Sequence, residues 1–541
     1  MSDAGKKSYG TILKSSATVG GSAAVTSAFG LVRAKVMAEL LDPSGFGVMG
    51  TYLQIAELAR TLAGLGINNS GVRQIAEAVG SGDNHKIART VITLRRVALY
   101  SGLVGAVLLV LLCRPVSGFS FAGDYSHATS IALLALYALC MDISAGQLAL
   151  VQGMRRIGDI ARINVLGALS GTVFSILIVY FWNVKGLAPS LVCVAATSIL
   201  TSWWYARKIK VERLRVTISE IWNEASELVK LGFVFMVSGF AMFGAQLLVR
   251  AIINRKLGLD AGGYYQAAWN IGGLYIAFII QAMGTDFYPR LTGVANRHDE
   301  CNRLVNEQAE VGLLMAAPGL LGTLTFAPLV ISIFASHKLG PGAEVLRWLC
   351  VGMLMRVVSW PMGFIILAKG EKKIFFWFEV LSWVAYIALF WTGVALFGLV
   401  GSGIAFFALY FVNSFVLYAV VRRLTGFRWT SANRQLWFLF GPMIAVVFLA
   451  TYFLKGTPAL LVGAAVTLAA AVYSLRTLAK LIATDRLPRP LLKLMKILKL
   501  IPSNLNPNEQ HENSSNRAGL CGPATVVSVR QERSDSAGIG H

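Results

Sequence analysis

Arg33 and Arg250 stand inside long apolar runs of the sequence, 217 residues apart (250 − 33 = 217). A guanidinium is planar, permanently charged and shaped to grip phosphate oxygens in pairs, so two of them facing one cleft would suit a pyrophosphate. Both lie toward the outer ends of their runs and could instead snorkel to lipid headgroups. Arg356 is a third cation at depth, in the tenth run. It follows Arg347 by nine residues (356 − 347 = 9), which puts the two on opposite sides of a helix. A buried structural charge fits Arg356 as well. Asp142 in the fourth run and Glu379 in the eleventh have no local counter-charge. Such a carboxylate can exchange a proton or hold a small cation, as an ion-coupling site must, although a cross-helix hydrogen bond would leave the same trace. Glu57 and Arg60 at i,i+3 are read as an intramembrane pair, and Lys35 with Glu39 as an i,i+4 pair at the end of the first run.

What surrounds these charges makes them informative. Of 541 residues, 55% are of the AVILMFWYC type and only 14% are charged, against roughly a quarter charged in soluble domains. Apolar runs recur near 11–36, 45–68, 97–113, 128–151, 163–182, 187–206, 231–253, 262–285, 309–335, 344–368, 374–397, 400–421, 435–454 and 457–475, each about as long as a bilayer core is thick. The fold expected is an all-α polytopic membrane protein of about 14 spans. The net charge of +22 sits mostly in short connections, where membrane orientation explains it, so no nucleic-acid partner is expected. Six scattered cysteines and no His at ligand spacing give neither a metal site nor a cofactor. The six histidines lie in loops, near span ends or in the tail, and no acid–base set converges, which argues against an enzyme.

Alternate connections are basic, among them Arg73 to Arg96, Arg155 to Arg162, and Arg422 to Arg434, so both termini are expected in the cytoplasm. The same offset of 217 that relates Arg33 to Arg250 carries Gly45 onto Gly262, Arg73 onto Arg290 and Gly186 onto Gly403. A parallel repeat of this length implies two pseudo-symmetric six-helix bundles related by an axis along the membrane normal, with substrate between them. The domains expected are a cytoplasmic N-terminus at 1–10, an N-lobe bundle at 11–227, a C-lobe bundle at 228–430 and two additional transmembrane helices at 431–480. An amphipathic interfacial helix at 481–502 and a disordered cytoplasmic tail at 503–541 follow.

Several stretches together resemble the Wzx-type O-antigen translocases, the lipid-linked oligosaccharide flippases of the polysaccharide transport family in the MATE-like exporter superfamily. They are Leu40-Leu41-Asp42-Pro43-Ser44-Gly45-Phe46-Gly47, Val72-Arg73-Gln74-Ile75-Ala76, Gly263-Tyr264-Tyr265-Gln266-Ala267, Phe287-Tyr288-Pro289-Arg290-Leu291 and Ile366-Leu367-Ala368-Lys369-Gly370. The resemblance implies two lobes in the bacterial inner membrane, alternately open to each side. It further implies transfer of undecaprenyl-pyrophosphate-linked repeat units to the periplasmic leaflet, for O-antigen, capsule or exopolysaccharide. Membrane lipids, a polysaccharide polymerase and a chain-length regulator are the partners it suggests. Arg33 and Arg250 fit the places of cavity arginines in the related peptidoglycan-lipid flippases. Two alternatives stay open: a cation-coupled multidrug antiporter of the same superfamily, disfavoured by the basic repeat-related pair, and a membrane polymerase or ligase of lipid-linked sugars, disfavoured by the short external loops.

Overall fold

In a computed structural model the backbone is described for residues 3–481, apart from 82, 210, 212–213, 215–217 and 455. Its helices are α1 (Asp3–Leu40), α2 (Pro43–Ala63), α3 (Ile67–Ser81), α4 (Asn84–Leu111), α5 (Cys113–Ser120), α6 (Ala128–Gly153), α7 (Ile157–Trp182), α8 (Leu187–Ala206) and α9 (Ile218–Leu257). After these come α10 (Leu259–Gly293), α11 (His298–Thr325), α12 (Ala327–Phe334), α13 (Gly342–Ala368), α14 (Lys372–Phe397), α15 (Val400–Thr425), α16 (Ser431–Phe453) and α17 (Thr457–Leu481). No strand occurs among the described residues. Residues Met1–Ala471 form one compact unit; the last turns of α17 belong to a second, Val472–His541. The amphipathic helix and tail expected beyond Leu481 lie outside the described residues.

Nine stretches among the described residues are long and apolar enough to cross a membrane, or ten if the bent pair α11–α12 counts as one span. One of the nine, Ile157–Ala206, holds both α7 and α8. The chain is therefore an all-helical, multi-pass membrane protein. Helices α1, α2 and α10 fall outside the nine. They carry serine, glycine and amide side chains where a lipid-facing helix would carry leucine, and α2 packs along α10 while α1 packs along α7.

Three run boundaries change. The run at 309–335 is not one straight crossing: α11 ends at Thr325, and α12 leaves at 89° with Pro328 in its first turn. The run at 97–113 is part of a longer helix, because Asp83 caps α4 by accepting from the backbone N–H groups of His85 and Lys86. Arg95 and Arg96 thus sit on that helix rather than before it. The second run stops at a turn in which Leu65 and Gly66 have φ of 46° and 66°, and α3 begins there.

The two halves share much of their element order, with the single helix α10 running through the positions that α2 and α3 divide between them. Helices α1 and α9 end 217 residues apart (257 − 40 = 217). A 28-residue helix followed by an eight-residue one occurs in each half, as α4–α5 and α11–α12. Each half also buries its own apolar cluster, one around Ile75, Leu94 and Leu150, the other around Leu291, Ile365 and Phe427.

A buried amide pair ties α16 to the second half. Asn433 donates to the side-chain oxygen of Asn306 at 2.9 Å, which also accepts from the Thr430 N–H at 3.0 Å, while Asn306 donates to the Arg428 carbonyl at 3.1 Å. Replacing Asn306 by Ala leaves several of these groups buried without partners. Asn306→Ala should lower unfolding free energy by about 2–3 kcal/mol in a detergent-to-denaturant titration; a change under about 0.5 kcal/mol would show that the amides are not a structural tie.

Candidate functional site

Helix α2 belongs to the first half but runs against the second at both of its ends. At its start, a Cβ built on Gly47 would stand 2.3 Å from the Leu259 carbonyl oxygen, and one on Gly263 would stand 2.0 Å from that of Pro43. Only glycines allow the backbones of α2 and α10 to meet this closely. Asn254 of α9 fastens the contact, donating to Thr51 Oγ1 at 3.2 Å and to the Ser120 carbonyl at 2.9 Å. Arg255 donates to the Phe119 carbonyl at 3.2 Å, so two polar side chains of α9 cap the open carbonyl end of α5. At the other end of α2, Gly66 meets Gly232 of α9 backbone to backbone, and Thr90 donates to Glu224 at 2.6 Å. The halves thus touch above and below, and two cavities lie between the contacts.

The first cavity, about 290 Å³, is lined by Arg33 and Ser27 of α1, Phe46 and Met49 of α2, Ser175 and Ser190 of α7 and α8, and Gln266 and Asn270 of α10. No described carboxylate pairs with Arg33. The other polar side chains of the lining are amides and hydroxyls, set among apolar residues such as Leu53 and Leu191, and Gln266 Nε2 donates to Asn270 Oδ1 at 2.7 Å. Arg250 does not line this cavity. It is 4% exposed, and its Nη1 lies beside Gly50 of α2 and the amide of Gln266. Arg356 stands apart from both cavities, over the Tyr410 ring at 5.7 Å.

The second cavity, about 260 Å³, lies toward Gly66 and is lined by Arg60 and Thr61 of α2, Asp142 of α6, and Phe235 and Met236 of α9. Arg60 donates twice to Glu57 Oε2, at 2.9 and 2.7 Å, and the Tyr137 hydroxyl donates to the other Glu57 oxygen at 3.0 Å. Asp142 is 4% exposed, and its Oδ2 has no hydrogen-bond partner among the described residues. Glu379, by contrast, accepts from Ser238 of α9 at 2.8 Å and so is tied across helices. Lys35 and Glu39 pair at 2.7 Å.

The charges stood out in the sequence, whereas the amides were passed over. Gln266 and Asn270 at i,i+4 on α10 were a legible signal, since two amides on one face of a membrane helix need polar surroundings. Tyr137 and Gly50 gave none, because their roles come from cross-helix contacts.

Residues 36–340 match a family model described as polysaccharide biosynthesis protein. Among curated relatives, the lipid III flippase of Escherichia coli K12 is 22% identical over 414 residues, covering 74% of this chain and 96% of that protein. Two solved structures share the fold. The lipid II flippase MurJ in an inward closed conformation has a TM-score of 0.63 at 13% identity, over 85% of this chain and 99% of its own. An inward-facing multidrug resistance MATE family transporter of the MOP superfamily has 0.59 at 17% identity, over 74% and 94%.

Near the Pro43 end of α2, the Tyr52 hydroxyl and His127 Nδ1 are hydrogen bonded at 2.8 Å, and the His127 ring stacks on Phe121 at 3.9 Å. Burial holds His127 below its ordinary pKa of 6.5, with nearby Asp124 acting in the opposite direction. In the unfolded chain the ring takes up its proton at the ordinary value. As pH falls below 6.5 the unfolded state therefore binds more protons, and stability is lost until the folded pKa is passed. Thermal unfolding followed from about pH 8 to about pH 5 should show that loss in the wild type and a shallower slope in His127→Gln. An unchanged slope in the variant would remove His127 from the account.

Proposed function

Because the chain belongs to the polysaccharide biosynthesis protein family, we propose that it is a flippase rather than an enzyme. It carries undecaprenyl-pyrophosphate-linked oligosaccharide repeat units across the bacterial inner membrane for surface polysaccharide synthesis. The observation that carries this reading is Arg33, a guanidinium without a carboxylate partner in a cavity whose other polar walls are amides and hydroxyls. A phosphate needs charged donors and a sugar needs neutral donors and acceptors; this wall offers both. Arg250, buried one helix away beside Gly50, is the second cation proposed for the site, whereas Arg356 stands over Tyr410 apart from the cavity and keeps only a lesser claim; the polyprenyl chain stays in lipid.

Helices α1, α2, α4, α6, α7 and α8 make the six spans of the first lobe, 11–227, and α9, α10, α11, α13, α14 and α15 those of the second, 228–430. Helices α16 and α17 add two more at 431–480, for 14 in all. Arg73, Lys86 and Arg89 near the Gly66 end make that end cytoplasmic by the positive-inside rule, which also puts both termini in the cytoplasm. The Pro43 end is then periplasmic. Rocking of the lobes would open the two glycine contacts alternately. Asp142, in the second cavity, is the coupling site, with Glu379 a lesser candidate because Ser238 already occupies one of its oxygens. A polymerase and a chain-length regulator would take the product on the periplasmic side.

Cells lacking the gene should accumulate repeat units modifiable only by cytoplasmic-side reagents. The wild-type protein should relieve this, and Arg33→Gln, inserted at equal level, should flip at least about tenfold more slowly. Unchanged flipping in Arg33→Gln would sink the charge argument. Asp142→Asn should leave flipping insensitive to collapse of the ion gradient; a variant as sensitive as the wild type would discharge Asp142 from coupling. Normal lipid-linked sugars with altered sensitivity to cationic drugs would favour the cation-coupled antiporter, with Asp142 as its acidic contact.

A further inference from the structure

Arg33 and Arg250 are repeat mates, yet the structure treats them differently. Arg33 lines the first cavity together with Ala267. Arg250 is buried against the opposite lobe, at Gly50 of α2. Gly50 and Ala267 are themselves separated by the repeat offset (267 − 50 = 217). Arg250 thus meets Gly50 directly, while Arg33 and the matching Ala267 of the other lobe's second helix line one cavity, so the repeat-related position is glycine on one side and alanine on the other.

The glycine matters sterically. A Cβ on Gly50 would stand 2.5 Å from Arg250 Nη1 and 2.4 Å from Gln266 Oε1, distances no real Cβ shows. The missing methyl is the notch in which the guanidinium sits. Within it Arg250 is poorly served: its Nε and Nη1 and the Gln266 Oε1 have no hydrogen-bond partner among the described residues, and the Tyr265 ring centre is 5.9 Å away. A buried cation with unmade bonds disfavours the state that contains it. Gln266 has one side in this notch, while its Nε2 reaches Asn270 on the cavity wall. The Gln266 amide thus touches both the notch and the cavity wall.

We propose that Gly50 is a positioning residue that makes Arg250 a withheld cation: seated in the glycine notch while α2 lies on α10, and delivered past Gln266 to an anionic pyrophosphate when the two helices part. This rests on the pyrophosphate reading of the cavity. An anion that gains a second guanidinium only in the parted state binds that state more tightly, so it shifts the population toward opening.

The test is a double-mutant cycle on the full chain in nanodiscs, with inorganic pyrophosphate as the probe and calorimetric affinity as the readout. Gly50→Ala fills the notch and should tighten pyrophosphate binding by about three- to tenfold, the gain expected when a largely withheld state is removed. In an Arg250→Gln background the same substitution should change nothing. Asn254→Ala, which loosens the α2–α9 fastening without touching the notch, should also tighten binding only when Arg250 is present. It keeps the test alive if Gly50→Ala does not fold. Unchanged or weaker affinity in both variants, or an equal gain without Arg250, overturns the proposal. Arg33→Gln separates the two levels. Binding that needs Arg33 but shows no Arg250-dependent gain overturns the notch alone, whereas a wild type that does not bind pyrophosphate overturns both.

Discussion

A guanidinium at bilayer depth costs about 2.5–3.5 kcal/mol on insertion scales unless protein or water surrounds it, and that constraint decides which helices of this chain can face lipid. Helices α1 and α9 carry Arg33 and Arg250, α2 carries Glu57 and Arg60, and α10 carries Gln266 and Asn270. Glycines let the backbones of α2, α9 and α10 approach one another where the halves meet, while α1 packs along α7 and brings Arg33 to the cavity beside them. The helices left for the outside, such as α14 and α4, turn Trp377, Leu381 and Leu396 or Leu103, Val107 and Leu111 outward without penalty. Sorting by polarity thus builds the lobes, the seam between them and the cavities in one step.

The seam is closed by contacts of two kinds. Glycine pairs bring backbone against backbone, which excludes water but supplies little attraction of its own. Directional bonds hold the glycines in register: Asn254 and Arg255 on the carbonyls of α5 at one end, Thr90 on Glu224 at the other. The Arg255 bond is exposed to exchange with water, whereas those of Asn254 are buried and cost more to break. A contact of this design is tight enough to seal and weak enough to open, as alternation between two sides requires.

Much of this was legible in the sequence. Run length and composition gave helices, and a single offset gave the correspondence between halves that the helix ends at Leu40 and Leu257 share. What stayed hidden was anything settled by a partner distant in sequence. Helical periodicity separated Arg347 from Arg356 but did not say which faced Tyr410. Asp142 and Glu379 looked alike as lone carboxylates, and only packing distinguishes them, since Ser238 reaches one while an oxygen of the other stays bare beside a cavity. The bend after Thr325 was hidden because apolar residues continue through it, so composition registers no break.

The repeat makes one more inequality meaningful. An anion that binds two conformations with equal affinity shifts no equilibrium. A difference between the halves where the ligand is felt is one way to make its affinity depend on conformation. Here one difference is a methyl group, present at Ala267 and absent at Gly50, where Arg250 sits against the opposite lobe while Arg33 lines the cavity. The duplication supplies two cations at matching depth; the unequal second helices make their exposure depend on whether the lobes are together or apart. Binding energy can then be spent on motion, because an anion in the cavity can improve its contacts only by separating the helices that keep Arg250 from it.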